Sequence, residues 1–278
     1  MTLGFIVYNI LMSKTVFITG ASSGIGKAIA IYLHEKQYKV YGTSRNPDRV
    51  KDIPFELVKL DVLDVTSIQN AVDYVVEKEG RIDVLINNAG KGITGPIEDT
   101  PVAEMKSNFD TNLFGPIEVM KAVLPYMRKI QSGKIINVTS IAGYMGLPFR
   151  GVYSASKGAL ELITEAMSME VKGFGVQIVN VAPGDFATNI AAGRYHTPVF
   201  ETSAYKEKYA ENLALMDEHV DSGADPIIMA KAIHAIIESK KTKIHYKVGG
   251  FMEKFSIILK RALPDRVYEK LLMNHYKL

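Results

Sequence analysis

A regular alternation of strand-like and helix-like segments constrains the fold of this chain more than any other feature of its sequence. Short stretches rich in Val, Ile, Phe and Thr recur at a spacing of roughly thirty residues. They lie at 14–19, 38–43, 56–60, 82–86, 134–138, 176–181 and 244–248. Helical patterns lie between most of them, at 25–36, 66–79, 101–111, 113–130, 152–172 and 226–239. Strands joined through helices form right-handed βαβ units, so the pattern predicts a parallel sheet with helices on both faces.

Length and composition favour an ordinary α/β domain and remove several classes of function. The 278 residues are 47% hydrophobic, which suits one large domain with a sizeable core. A net charge of +3, without a block of lysines and arginines, gives no indication of nucleic-acid binding. The chain has no cysteine, which excludes disulfides, thiolate catalysis and cysteine-bound metal. The six histidines lack ligand spacing, so no metal site is expected.

Two side chains suited to proton transfer, Tyr153 and Lys157, lie four residues apart, and Ser140 lies thirteen residues before the tyrosine. If the segment is helical, this spacing places the phenol and the ammonium on one face. A free phenol has a pKa near ~10, and a neighbouring cation lowers that pKa by favouring the phenolate. The Ser140 hydroxyl could hold a carbonyl or alcohol oxygen beside the phenol. The three residues therefore predict proton transfer to a carbonyl while a hydride arrives from another molecule.

A glycine-rich turn is the candidate binding site for a hydride donor. The run GASSGIG at 20–26 stands between the first predicted strand and a helical pattern. Backbone N–H groups at such a turn can approach a phosphate, and the helix N-terminus adds partial positive charge. The spacing is G-x-x-x-G-x-G rather than the common G-x-G-x-x-G. Taken alone, the glycines would also fit a turn that serves only tight packing.

Together these motifs resemble those of the short-chain dehydrogenase/reductase family. The matching segments follow the family's order over residues 14–250 and are TGASSGIG (19–26), Asp61 in KLDVLD, NNAG (87–90), Asn112 in DTNLFG, Ser140 in NVTSIAG, YSASK (153–157) and the Pro-Gly pair of NVAPGDFAT (180–188). The resemblance implies a single doubly wound, Rossmann-type parallel sheet of seven strands, and a nicotinamide dinucleotide. It also implies a catalytic group made of Ser140, Tyr153, Lys157 and Asn112. In that group Asn112 pins a water that links Lys157 to solvent.

The resemblance also assigns cofactor contacts to residues after the strand ends. Asp61 takes the adenine amino group, the Val62 backbone takes the adenine ring, and Thr188 meets the carboxamide or the diphosphate. Asn87 lines the ribose side or, in a plainer interpretation, fixes the central strands. The complete predicted cofactor set is Gly20, Ser22, Ser23, Gly24, Ile25, Gly26, Ser44, Arg45, Asp61, Val62, Asn88, Ala89, Gly90, Tyr153, Lys157, Pro183, Gly184 and Thr188.

The end of the second predicted strand indicates which dinucleotide is bound. NAD-preferring sites carry a carboxylate there for the ribose hydroxyls, whereas this chain has Ser44 followed by Arg45. An arginine fork beside a hydroxyl would bind a 2′-phosphate, so we predict NADP(H). A solvated arginine after a strand is the plainer alternative. Because cellular NADP is usually kept reduced, carbonyl reduction is the expected direction.

Apolar and aromatic residues around the catalytic segment predict a hydrophobic substrate. The predicted substrate residues are Ser140, Ala142, Tyr144, Phe149, Tyr153, Asp185 and Phe186. At Asp185 the chain departs from the apolar residue that is usual in the family. The sequence resembles relatives acting on steroids, retinoids or long-chain keto-lipids, with 3-oxoacyl-thioester or sugar and polyol reduction as the competing substrate class. A non-catalytic NADP(H)-binding sensor is the alternative from another class, and the intact catalytic group argues against it.

The sequence also suggests how the chain divides. Residues 1–12 are too few to span a bilayer, and we interpret them as a disordered or non-native extension before the first strand, with an anchor at a membrane surface as the alternative. Residues 13–250 are the predicted catalytic domain, within which 185–223 form a substrate lid. Residues 251–278 are a helical extension, interpreted as a lid, a subunit contact or a peripheral membrane helix. A cytoplasmic homo-oligomer is expected, the oligomer by analogy with relatives.

Overall fold

The computed structural model of the protein describes residues 13–187, 193–221 and 223–278, without the side chains of residues 215 and 217–221. The interpretation of residues 1–12 and the predicted role of Thr188 lie outside the described residues. The strands are β1 (Thr15–Ile18), β2 (Lys39–Ser44), β3 (Glu56–Lys59), β4 (Val84–Asn87), β5 (Ile93–Thr94), β6 (Gly133–Val138), β7 (Val176–Pro183), β8 (Tyr195–His196) and β9 (His245–Val248). The longer helices are α1 (Gly24–Glu35), α2 (Val65–Glu79), α3 (Val102–Phe109), α4 (Gly115–Lys129), α5 (Gly151–Glu170), α6 (Lys206–Asp221), α7 (Pro226–Glu238), α8 (Phe251–Ala262) and α9 (Asp265–His275).

Seven of the strands form one parallel sheet in the order β3-β2-β1-β4-β6-β7-β9. The first three strands run outwards from β1 to β3, and the chain then returns to place β4 on the other side of β1. The strand order therefore reverses between β1 and β4. This confirms the predicted doubly wound sheet. Ligands of such sheets bind beyond the carboxyl ends of the strands at the reversal. The short strands β5 and β8 form a separate parallel pair.

The core lies on both faces of the sheet, which explains why the strands read as continuous apolar runs. On β1, Val16 and Ile18 belong to one buried cluster and Phe17 to another. The first cluster includes side chains of α1 and α7, and the second includes side chains of α2 and α4. Side chains alternate between the faces of a strand, so each helix layer packs against alternate residues of the strands.

Local signals set the ends of several helices. The Asp64 carboxylate caps α2 by accepting from the N–H groups of Thr66 and Ser67, and Gly80 ends that helix with φ of 75°. Asp225 caps α7 in the same way, followed by Pro226 at the first helical position. Between α3 and α4 the chain forms a π-helical turn over Asp110–Phe114. The sequence predicted two separate helices here, whereas the structure has continuous helical backbone with a widened turn.

The structure of residues 185–223 was not predicted in detail, whereas the predicted helical extension at the C-terminus is present. Residues 185–223, expected as a substrate lid, contain β8 and the helix α6. The C-terminal segment, expected as a helical extension, forms the two helices α8 and α9. These pack through Ile257 and Tyr268 against Ile141 and Met145, directly after the end of β6. None of the helices in the described ranges is long and apolar enough to cross a membrane.

Candidate active site

The glycine-rich turn after β1 is shaped by close backbone approach. Gly20 has φ of 68°, in the left-handed region that side chains disfavour. A Cβ on Gly26 would lie 2.3 Å from the Gly20 carbonyl oxygen, so only glycine lets α1 begin this close to the turn. Ser23 precedes α1 without capping it through its side chain. The N-terminus of α1 therefore keeps N–H groups that suit a phosphate.

Asn88 holds this turn against the end of β4. Its Nδ2 donates to the carbonyl oxygens of Thr19 and Gly20, both at 3.0 Å. The Thr19 hydroxyl accepts from the N–H groups of Asn88 and Ala89, also at 3.0 Å. The preceding Asn87 is buried and donates to Asn137 Oδ1 at 2.9 Å, between neighbouring strands. Asn87 thus fixes the central strands, as the plainer interpretation of the sequence expected.

A groove of about 860 Å³ runs along the carboxyl ends of the strands, within the range of ~300–1,000 Å³ typical of small-molecule sites. Most of the predicted cofactor residues line it: Gly20, Ser22, Ser23, Gly24, Ile25, Ser44, Arg45, Asp61, Val62, Asn88, Ala89, Gly90, Tyr153, Lys157 and Pro183. Gly26 does not line the described groove, because it packs against the Gly20 carbonyl where α1 meets the turn. Gly184 lines the adjoining cavity instead. The residues present fit a dinucleotide.

The end of the groove beside β2 is basic. Ser44 ends β2 and Arg45 follows it, and Arg49 joins them from a 3-10 turn at Pro47–Arg49. Sequence reasoning missed Arg49, although a second arginine four positions after the first was visible. On the other side of this end, the Asp61 carboxylate accepts from the Leu63 N–H at 3.0 Å.

The structure brings Ser140, Tyr153 and Lys157 together. Ser140 follows β6, and its hydroxyl oxygen accepts from the Ala142 N–H at 3.2 Å. Tyr153 and Lys157 lie one turn apart on α5, and Lys157 Nζ donates to the Val138 carbonyl oxygen at 3.0 Å. Burial lowers the pKa of Lys157 to about 8, and the nearby Glu161 carboxylate opposes that lowering.

The electrostatics of Tyr153 differ from the sequence prediction. Burial raises the pKa of its hydroxyl, and the strongest opposing influence is the positive charge of Arg150, followed by the Ser140 hydroxyl. The Arg150 guanidinium carbon lies 5.6 Å from the centre of the Tyr153 ring. The sequence prediction assigned this lowering to Lys157. Arg150 was missed, although it stands three residues before the tyrosine.

Asn112 lies in the π-helical turn and is completely buried. Its Nδ2 donates to the Lys91 carbonyl oxygen at 2.9 Å and to Ser156 Oγ at 3.2 Å, while its Oδ1 accepts from the Lys91 N–H at 2.9 Å. A Cβ on Gly90 would lie 3.1 Å from Asn112 Oδ1 and 3.4 Å from Lys157 Nζ, so Asn112 and Lys157 are neighbours. The Asn112 side chain therefore ties the loop after β4 to α5.

A second cavity adjoins the groove. Tyr153 lines both, as do Ile25 and Pro183. Of the predicted substrate residues, Ser140, Tyr153, Asp185 and Phe186 line this cavity. The other lining residues, which include several that the sequence did not single out, are Gly92, Ile93, Thr94, Arg150, Gly184 and Arg194.

Three predicted substrate residues lie elsewhere. The Tyr144 hydroxyl donates a hydrogen bond to the buried Glu161 carboxylate on α5 at 2.9 Å, and its ring packs against the C-terminal segment. The Phe149 ring packs on Tyr209 with 5.4 Å between ring centres. Ala142 is buried and meets Ser140 through its backbone N–H. An aromatic residue near the catalytic motif was thus not a sufficient signal for contact with substrate.

The C-terminal extension reaches the second cavity from outside the catalytic motifs. Glu253 on α8 accepts from the Asp185 N–H at 2.6 Å and from the Gly250 N–H at 2.5 Å. Tyr276, just after α9, is 8% exposed. Burial raises the pKa of its hydroxyl, while the charge of Arg150 lowers it and that of Asp185 raises it. The last residues of the chain therefore lie beside the cavity.

Comparison with known proteins agrees with this geometry. The family model described as short chain dehydrogenase matches residues 14–198. The 3-ketodihydrosphingosine reductase of Bacteroides thetaiotaomicron is 38% identical over 270 residues, covering 96% of this chain and 99% of that protein. A short-chain dehydrogenase structure from Streptomyces avermitilis is 31% identical, with a TM-score of 0.80 and coverage of 95% of this chain and 97% of the other. The structure of ElxO with NADP bound is 27% identical, with a TM-score of 0.68 and coverage of 85% and 97%.

The matched family model covers the glycine-rich turn, the groove and the Ser-Tyr-Lys group, and the fold is shared with the solved structures. The chain belongs to the short-chain dehydrogenase/reductase family of NAD(P)-dependent oxidoreductases.

Proposed function

We propose that this chain uses NADPH to reduce the ketone of a long-chain, hydrophobic lipid. The observation that carries the proposal is that Tyr153 lines both the dinucleotide groove and the second cavity. A proton donor at that boundary can serve a carbonyl in the cavity while a hydride comes from the groove. Ile93 and Phe186 give the cavity apolar surface. The similarity to a protein named 3-ketodihydrosphingosine reductase supports a keto-lipid.

NADPH is proposed because the groove end beside β2 carries Arg45 and Arg49 and has a serine, Ser44, where NAD-preferring sites have a carboxylate. Two guanidinium groups and a hydroxyl can share the charge of a 2′-phosphate, and a carboxylate there would repel it. The structure of ElxO with NADP bound, a similar protein, supports the same choice.

The proposed roles follow from position. When bound, the nicotinamide supplies a hydride to the carbonyl carbon. Ser140 donates a hydrogen bond to the carbonyl oxygen, and Tyr153 transfers its hydroxyl proton to that oxygen, so the ketone becomes a secondary alcohol. Lys157, whose pKa burial lowers to about 8, is mostly protonated at neutral pH and can hold ribose hydroxyls near the tyrosine. Arg150 stabilises the phenolate that remains on Tyr153.

A second candidate substrate is an anionic carbonyl compound, for example a 3-oxoacyl thioester. Its support is the pair of guanidinium groups, Arg150 and Arg194, in the wall of the cavity. Loss of NADPH absorbance against 3-ketodihydrosphingosine, acetoacetyl thioesters, retinal and steroid ketones distinguishes the candidates. We expect 3-ketodihydrosphingosine to have the highest kcat/KM of the four kinds of substrate. If the protein binds NADPH but reduces none of these carbonyls, the proposal is refuted.

Tyr153→Phe tests the proton donor. Loss of the hydroxyl should lower kcat by about 10²-fold to 10⁴-fold, with the Kd for NADPH changed little. Tyr126→Phe is the control, because the Tyr126 hydroxyl bonds Asp73 at 2.7 Å, and Tyr126 packs among the α2 and α4 side chains, away from the groove. Unchanged turnover in Tyr153→Phe would contradict the assigned role.

A further inference from the structure

Asp185 is the unusual charged group of the substrate cavity. It follows Gly184 directly, lines the cavity with Ser140 and Tyr153, and is half-buried. Its backbone N–H is fixed by Glu253 at 2.6 Å. Its carboxylate forms no hydrogen bond or ion pair with any residue in the parts of the chain that the structure describes. The backbone is anchored while the charged group is left for another partner.

This carboxylate acts against the reaction as the protein stands. Its negative charge is among the influences that raise the pKa of Tyr153, which makes the phenol a weaker acid. Arg150 has its own contacts, since it lies 5.6 Å from the Tyr153 ring centre and beside the Tyr276 hydroxyl. A cation brought by the substrate would both pair the carboxylate and cancel its effect on Tyr153.

We infer that Asp185 binds an ammonium group on the carbon next to the reacting ketone, so that the substrate class is the α-ammonium ketones with an apolar chain. This rests on the proposed keto-lipid reduction and names the polar end of that substrate. With the carbonyl oxygen between Ser140 and Tyr153, a substituent one carbon away lies within the same small cavity as Asp185. The ammonium lowers the pKa of Tyr153 and so strengthens the acid only when the correct substrate is bound.

The test compares two ketones of equal chain length, 3-ketodihydrosphingosine and its N-acetyl derivative, which lacks the positive charge. Wild-type protein should have a kcat/KM for the ammonium ketone that is larger by about tenfold or more, the range of a charge-assisted hydrogen bond. Asp185→Asn should lose about tenfold or more on the ammonium ketone and little on the acetylated one. Glu269→Gln, which removes an exposed carboxylate from α9, is the control for overall charge and should change neither value.

A second readout separates a charge effect from a structural one. Removing the negative charge lowers the pKa of Tyr153, so the alkaline limb of the pH–rate profile for the acetylated ketone should move to lower pH in Asp185→Asn. Equal wild-type efficiency on both ketones, or equal losses on both in Asp185→Asn without a pH shift, would overturn the assignment while leaving ketone reduction intact. Reduction of neither ketone by a protein that reduces other carbonyls would refute the keto-lipid proposal itself. Preference for an anionic ketone would overturn the role of Asp185.

Discussion

Replacing Lys157 should make the cofactor-free protein more stable while it destroys catalysis. Lys157 is only 5% exposed, and burial lowers its pKa from the ordinary 10.5 to about 8. At roughly 1.4 kcal/mol per pH unit, keeping this ammonium buried below pH 8 costs about 3 kcal/mol. Lys157→Met removes that cost and loses one hydrogen bond, to Val138, worth about 1 kcal/mol. The net expected gain at pH 7 is about 2 kcal/mol of unfolding free energy.

The pH dependence gives this prediction its distinctive form. Between pH 8 and 10.5 the unfolded lysine binds a proton that the folded one has released, so the stability of the wild-type protein rises with pH in this window. The advantage of Lys157→Met should therefore shrink by about 2 kcal/mol between roughly pH 7 and pH 9.5. Urea unfolding without cofactor at several pH values measures it. A variant less stable than wild type at pH 7, or an advantage independent of pH, would refute the reasoning.

Lys134→Met is the matched comparison. Lys134 is also buried, and burial lowers its pKa to about 8 as well. Its Nζ, however, donates to three carbonyl oxygens at the end of α7, those of Ile236 at 2.7 Å, Ile237 at 2.9 Å and Ser239 at 2.8 Å. Two more hydrogen bonds are lost than in Lys157→Met, so Lys134→Met should be the less stable variant at pH 7 by about 2 kcal/mol.

Three further predictions concern binding. Arg45→Asp should weaken NADPH binding by about tenfold or more and favour NADH, as measured by the KM for each cofactor. An unchanged cofactor preference would contradict a phosphate site at this end of the groove. Glu253→Gln weakens the acceptor that holds the Asp185 N–H and Gly250 N–H, so KM for the ketone should rise while the NADPH Kd stays constant; equal changes in both would indicate general unfolding. Gly26→Ala places a Cβ 2.3 Å from the Gly20 carbonyl oxygen, so cofactor titration should show weakened NADPH binding, and normal affinity would contradict the geometry of the turn.

Sequence patterns were sufficient for the parts of the protein that depend on neighbours along the chain. The seven strands of the sheet lie close to where the sequence predicted them, and the pattern is clearest for the central strands, whose two faces are both buried. The helix-spaced pair Tyr153 and Lys157 lies on α5, and the glycine-rich turn lies between β1 and α1. Where local patterns were weak, predictions were less complete. The sequence did not single out α6, which falls within the segment expected as a substrate lid, or the two-residue strand β5.

The sequence predicted four of the residues that line the substrate cavity, and tertiary structure decided the rest. Arg150 and Asp185 lie in its wall and Tyr276 lies beside both, yet these three residues come from distant parts of the chain, and no sequence pattern links Tyr276 to the other two. Tyr144 looked suited to a substrate from its position in the sequence, but its hydroxyl found a buried carboxylate instead. Periodicity and motif spacing predict which face of a helix or strand is buried, because side chains repeat along each element with a fixed geometric period. Which residues then meet across elements depends on how the helices and loops dock, which no local repeat encodes.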